Sequence, residues 1–128
     1  MPRRSANRQR VFDGEFYVLD TTEEPAVLRF KESCKEINFA GGEFIEKDSE
    51  LPNEIRFFLT NNKCKVIVPA SVEKISEYCF FRTKITEFIV LPGSKLEELK
   101  DNTFGECVEL KLVDVTQAPL VEIEKRCF

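Results

Sequence analysis

A chain of 128 residues with 42% hydrophobic and 33% charged side chains has the size and apolar content of one folded domain, not of a disordered tail. It contains no histidine, which excludes His-dependent triads, Cys–His dyads and His-ligated metal sites. The net charge is −4, but Arg3, Arg4, Arg8 and Arg10 place +4 on the first ten residues and leave −8 on the rest, so the body offers no basic face for nucleic-acid phosphates.

In chain order, MPRRSANRQR is polar and basic, and residues 1–10 are expected to form a disordered arm. It leads into VFDGEFYVLD without the apolar core of a secretory signal. No apolar run approaches the roughly 20 residues that cross a bilayer. Glu15–Asp20 and Pro25–Phe30 have the composition of strands separated by the turn-rich TTEEP. KEINFA and EFIEKD flank Gly41–Gly42, a hairpin signal. A phosphate-cradling role for these glycines lacks the Lys-Ser/Thr that would complete it. ELPNEIRFFLTNNKC places Pro52, Ile55 and Phe58 at the offsets of Pro69, Val72 and Ile75 further on, which marks it as a candidate decayed repeat.

From Val66 onward the chain repeats itself. Val72, Leu96 and Leu120 stand 24 residues apart, as do Ile75, Leu99 and Ile123, then Phe80, Phe104 and Phe128. Cys79, Thr103 and Cys127 form a fourth column just before the phenylalanines. Units this short cannot bury their own apolar side, so like residues must stack on like in neighbouring units. The β-branched runs Val66–Val68, Ile89–Leu91 and Val113–Val115 predict short parallel strands, two of them stopped by Pro69 and Pro92. A turn at Ser71 or Ser94 and a loosely helical return segment complete each unit.

PASVEKISEYCF, the first copy, resembles the BspA-like leucine-rich repeat pattern Pro-x-Ser-Val-x-x-Ile-x-x-x-x-Phe. The second copy, PGSKLEELKDNTFGECVEL, inserts one residue before Leu96 and supplies the family's Cys at Cys107. The first has Thr83 at that position, and the third replaces the Pro and Ser by Thr116 and Ala118. The resemblance covers about residues 63–128. It implies a curved solenoid that binds other proteins, commonly in surface or adhesion proteins of bacteria and anaerobic protozoa, and it brings no catalytic residues. The expected fold class is an α/β-type solenoid, a short leucine-rich repeat array over residues 63–128 with coils of about 24 residues. Residues 11–62 would precede it as a β-rich N-terminal cap that closes the open end of the array.

Strand alternation, counted back from Pro69 and Pro92, places Val66, Val68, Ile89, Leu91, Val113 and Val115 inward. Lys65, Ile67, Phe88, Val90, Leu112 and Asp114 then face outward, an unusually apolar set. This is the candidate protein-binding face, with Phe88 as its aromatic anchor. A register off by one, or coverage of the face by residues 11–62, is the alternative.

Cys34, Cys64, Cys79, Cys107 and Cys127 are odd in number and contain no CxxC pair, which fits buried thiols or a reducing compartment. No cofactor or metal site is expected. The acid pairs Glu97–Glu98 and Glu122/Glu124 fall in return arms as solvated faces, so no acid–base catalyst is expected either. Two functions remain: a recognition module of a surface or adhesion protein, or an intracellular scaffold or structural repeat fragment without a dedicated ligand. The missing leader favours the inside of a cell and the resemblance its surface. With Phe128 inside the third unit, the open end would continue as a longer array, fray, or self-associate with a second copy.

Overall fold

A computed structural model describes residues 10–37, 53–119, 122–124 and 126–128. The expected arm up to residue 9, the Gly41–Gly42 hairpin and the Leu120 rung of the first column lie outside them. The described strands are β1 (Val11–Asp13), β2 (Tyr17–Asp20), β3 (Ala26–Phe30) and β4 (Glu36–Ile37), followed by the helix α1 (Asn53–Asn61). Then come β5 (Cys64–Val68), β6 (Lys74–Ile75), β7 (Ile85–Val90), β8 (Glu98–Leu99), β9 (Leu112–Asp114) and β10 (Glu122–Ile123).

One six-stranded mixed sheet runs in the order β1-β2-β3-β5-β7-β9. Its first three strands pair antiparallel, and β3, β5, β7 and β9 pair parallel. β4 pairs with β6, and β8 with β10, as two short parallel ladders on the return side of the repeats. CKVIV of β5 shows why these residues make strands: Cys64, Val66 and Val68 are buried, while Lys65 and Ile67 between them are half-buried on the other side.

The core fills the space between the inner face of the sheet and the return arms. Leu19, Leu28, Val66 and Phe88 supply the sheet side; Ile37, Ile75 and Leu99 supply the arm side. Full burial of such a side chain contributes about 1.5–3 kcal/mol. Phe80 and Phe104 stack with ring centroids 6.1 Å apart and planes at 6°, and Phe104 and Phe128 at 5.3 Å and 22°. Phe88 meets Phe80 and Phe104 edge-on at 5.9 and 4.8 Å. The recurring phenylalanines therefore do stand over one another. Of the other columns, Val72, Leu96, Ile75, Leu99, Cys79, Thr103 and Cys127 are all buried, whereas Ile123 is half exposed.

The two fully described return arms, residues 69–84 and 91–111, are not helical. Each is a chain of single turns, with N–H groups donating to the carbonyl three residues back: Cys79 to Ser76, Phe81 to Tyr78 and Thr83 to Phe80, then Thr103 to Lys100, Gly105 to Asn102 and Cys107 to Phe104. Tyr78, Arg82, Asn102 and Glu106 have positive φ of 61°, 62°, 54° and 55°, and these left-handed residues break any helix before it propagates. Adjacent arms are laced together instead. Phe80 N donates to Thr103 O at 2.9 Å, Arg82 N to Gly105 O at 2.9 Å, and Phe104 N to Cys127 O at 2.8 Å.

The described part of ELPNEIRFFLTNNKC, the candidate decayed repeat, is a helix. Ile55 and Leu59, four residues apart on one face of α1, are buried, and Phe57 is 70% exposed. Asn61 and Asn62 end the helix by donating side-chain N–H groups to Phe57 O at 2.8 Å and Phe58 O at 3.1 Å. Lys84 N donates to Leu59 O at 2.7 Å and ties the helix end to the start of β7.

Candidate protein-binding face

The outer side of the six-stranded sheet is assembled by strand register. One row across it runs Asp13–Val18–Arg29–Ile67–Ile89–Asp114, and the next runs Val11–Asp20–Val27–Lys65–Glu87–Leu112. Val18, Ile67 and Ile89 are half-buried and Leu112 is 45% exposed. Val27 is shielded by its neighbours yet stands apart from the core cluster. Lys65 and Glu87 neutralise each other across adjacent strands at 3.7 Å. Arg29 is exposed and has no ion-pair partner among the described residues. Asp114 Oδ1 accepts the hydroxyl of Thr116 at 2.7 Å and its backbone N–H at 3.1 Å, which hold this carboxyl below the usual carboxylate range.

Lys65, Ile67, Leu112 and Asp114 lie on this outer side as expected; Phe88 and Val90 do not. Their exposures of 0% and 2% put both in the core. Ile89 and Leu91, expected inward, face out, and Leu91 is 39% exposed. β7 carries a bulge near its start, where Cys64 pairs with Ile85 but Lys65 with Glu87 and Thr86 is extra, but that lies ahead of the inverted residues. The cause of the inversion is at the other end: Val68, directly before Pro69, pairs with Val90, which leaves Leu91 as an extra residue ahead of Pro92. Counting back from the two prolines therefore shifts β7 by one place, and a one-place shift inverts its faces. Phe88 is no anchor for a partner; it is the wedge between two stacked rings.

Val18, Arg29, Glu87 and Ile89 were missed as members of the face. Val18 and Arg29 belong to strands outside the repeat, where no spacing announces which neighbour they meet. Glu87 and Ile89 could have been placed by seating the bulkiest residue of ITEFIV, Phe88, in the core and alternating from there.

Three of the five thiols, Cys64, Cys107 and Cys127, are held in the protonated form by their surroundings. Burial pushes Cys64 up to about 12, and burial followed by the charges of Asp101 and Glu124 pushes Cys127 up to about 11. Burial also raises Cys107, against hydrogen bonds with Thr83, and its Sγ donates to Phe80 O at 2.9 Å. These thiols stay protonated at neutral pH and pack as small hydrophobes. Of the acid pairs, Glu98 meets Lys100 at 3.2 Å, and Glu124 accepts the N–H of Asp101 at 2.8 Å. Among the described residues no three metal-ligating groups converge, and no helix is long and apolar enough to cross a membrane.

A family model described as the BspA type leucine rich repeat region (6 copies) matches residues 53–128, more than half of the chain. The chain belongs to this BspA type family. The BspA type match begins at Asn53, so α1 falls inside it, ten residues before the boundary expected from the repeat spacing. No curated protein and no solved structure matches the chain. The BspA type family suggests a protein–protein interaction module and is generally non-catalytic.

Proposed function

We propose that the outer sheet face docks a protein partner. The observation that carries this reading is the register that lines up Val18, Ile67, Ile89 and Leu112 on one solvent-facing side of a sheet whose other side is already filled. Such a stripe gains by losing its remaining water contact. Its charges select the partner: an aliphatic or aromatic ridge with a carboxylate over Arg29 and a basic group beside Asp114 fits it. On this reading the stacked repeats are coils of a short solenoid, and β1–β3 cap the first coil by turning its strand edge into a hairpin.

Ile67→Ser combined with Ile89→Ser removes the centre of the stripe without touching the core. Proteins of the source cell that crosslink to the wild-type chain should be lost with this variant and retained with Glu97→Lys on a return arm. Hydroxyl-radical footprinting of the crosslinked complex should protect Val18, Ile67, Ile89 and Leu112. Protection confined to the return arms, or binding indifferent to the double substitution in a folded chain, rejects the face. The surface or adhesion setting that the family resemblance implies is tested separately, by labelling intact source cells with an impermeant reagent. A chain that remains unlabelled excludes it and leaves an intracellular scaffold.

A further inference from the structure

A second surface lies at the end of the sheet where the parallel strands begin. An open groove of about 1120 Å³ runs there between the last turn of α1, the β2–β3 turn and the segment leading into β9. One lysine stands immediately ahead of each of three strands: Lys63 before β5, Lys84 before β7 and Lys111 before β9. Two of the groove's carboxylates are already answered, Glu109 by Lys63 at 3.8 Å and Glu87 by Lys65 at 3.7 Å. Lys84 and Lys111 on one side, and Glu23 and Glu24 on the other, are exposed and have no ion-pair partner among the described residues. The groove therefore has two uncompensated positive charges toward β7 and β9 and two uncompensated negative charges toward β3.

We propose that this groove binds an extended segment of a partner protein carrying one basic and one acidic side chain three to four residues apart. Neighbouring strands lie about 4.8 Å apart, so the start of β3 is roughly 10 Å from that of β7 and 14 Å from that of β9. Three to four residues of extended chain span that distance at about 3.3–3.6 Å each. The opposed charges are too far apart for a small zwitterion to bridge. A wholly anionic ligand, whether a nucleic acid or a lipid surface, would set its charge against Glu23 and Glu24. Val108, 85% exposed at the rim, and half-buried Phe58 on the opposite wall add apolar contact for the intervening residues. This surface meets the outer sheet face at Glu87, already paired with Lys65, and the proposal does not depend on that reading.

The test uses the full chain and an array of alanine/serine decapeptides, each with one lysine and one glutamate at separations of one to eight positions in both orders, together with two-lysine and two-glutamate peptides at the same separations. Binding should peak at separations of three and four. Lys84→Glu with Lys111→Glu should lower that peak by about tenfold and create binding to peptides with two lysines at the same spacing. Arg29→Glu on the outer face should leave it unchanged. Amide NMR shifts on titrating the best peptide should concentrate at Lys63, Lys84 and Lys111. A flat array, a signal independent of spacing, or strongest binding by all-acidic peptides overturns the proposal. All four charged side chains are exposed, and circular dichroism of the charge-reversed chain checks that it folds.

Discussion

Residues 10–30 and the repeats after Cys64 build the two halves of one sheet by opposite means. In the first half antiparallel partners are neighbours in sequence, joined by the Gly14–Phe16 and Thr21–Pro25 turns. In the second, each strand regains its direction only after a long return arm, residues 69–84 and then 91–111. That arm is itself a pairing surface, carrying β6 and β8 and the hydrogen bonds that lace one repeat to the next. Local hairpins need no recurring residue, because each strand meets a different neighbour. A stack of like on like imposes a spacing, because every rung must land on its counterpart. The halves meet where Leu28 of β3 pairs with Val66 of β5, both fully buried.

The largest effect is expected in the repeat half. Phe88→Ala removes the ring that meets both Phe80 and Phe104 edge-on, and should cost about 3–5 kcal/mol in a denaturant titration. Leu112→Ala, on the outer face, should stay within about 0.5 kcal/mol. Because Leu28 and Val66 join the halves, the Leu19 and Phe104 amide signals should vanish in one transition. Survival of Leu19 after Phe104 is lost would turn two halves of one cooperative unit into two units.

Leu19→Ala probes the antiparallel half at a buried side chain of its central strand. Its cost should fall at the low end of the range for such truncations, about 2 kcal/mol. The neighbours Phe12 and Tyr17 are only half-buried near the sheet edge and can close on the gap. A loss as large as that of Phe88→Ala would show the hairpin half to be packed as rigidly as the stack.

What could be read in advance follows the same division. The columns at Phe80, Phe104 and Phe128 and at Cys79, Thr103 and Cys127 were legible because stacking repeats them at 24 residues. The strands were legible as strands but not in phase. Val66 pairs with Phe88 and Phe88 with Val113, steps of 22 and 25 residues, so the sheet does not keep the spacing of the arms. Thr86 adds one residue inside β7 and Leu91 another ahead of Pro92, and neither looks unlike an ordinary strand residue. In the hairpin half Val18 and Arg29 alternate correctly, yet which strand they would meet depended on topology. Three of the four left-handed residues of the arms were invisible, since Tyr, Arg and Glu carry no preference for that conformation, whereas Asn102 is of a type that favours it.

Those residues separate the halves again, with a smaller effect. Asn102→Gly relieves a left-handed backbone and should raise stability by up to about 1 kcal/mol. Arg82→Gly gains similarly but loses the ion pair with Glu106 at 3.0 Å, worth roughly 0–1 kcal/mol at this exposure, so its net effect should lie near zero. No non-glycine residue between 10 and 37 has a positive φ, and glycine scanning there should find no gain. A stabilising glycine in β1–β3 would erase the contrast.

The smallest effects belong to a device that both halves share. Asp20 ends β2 and Asp114 ends β9, and each Oδ1 accepts the hydroxyl and the backbone N–H of the threonine two residues on. The hydroxyl bond first, then the backbone bond, holds each carboxyl below its ordinary value of 3.8. A carboxyl lowered by folding stabilises the native state above its unfolded value, and that contribution fades as the pH falls through the folded one. Both groups are exposed, so the titration midpoints and not the global stability carry the signal. Thr22→Val and Thr116→Val should each raise the midpoint of the paired aspartate, followed by carboxyl-carbon NMR, while the remaining backbone donor keeps it short of the ordinary value. Arg29→Ala should raise Asp20 alone, because the guanidinium charge contributes there and not at Asp114. An Asp114 that moves with Arg29, or an Asp20 that does not, would show that charge crosses the outer face differently from its strand order, and would redraw the polarity assigned to the partner.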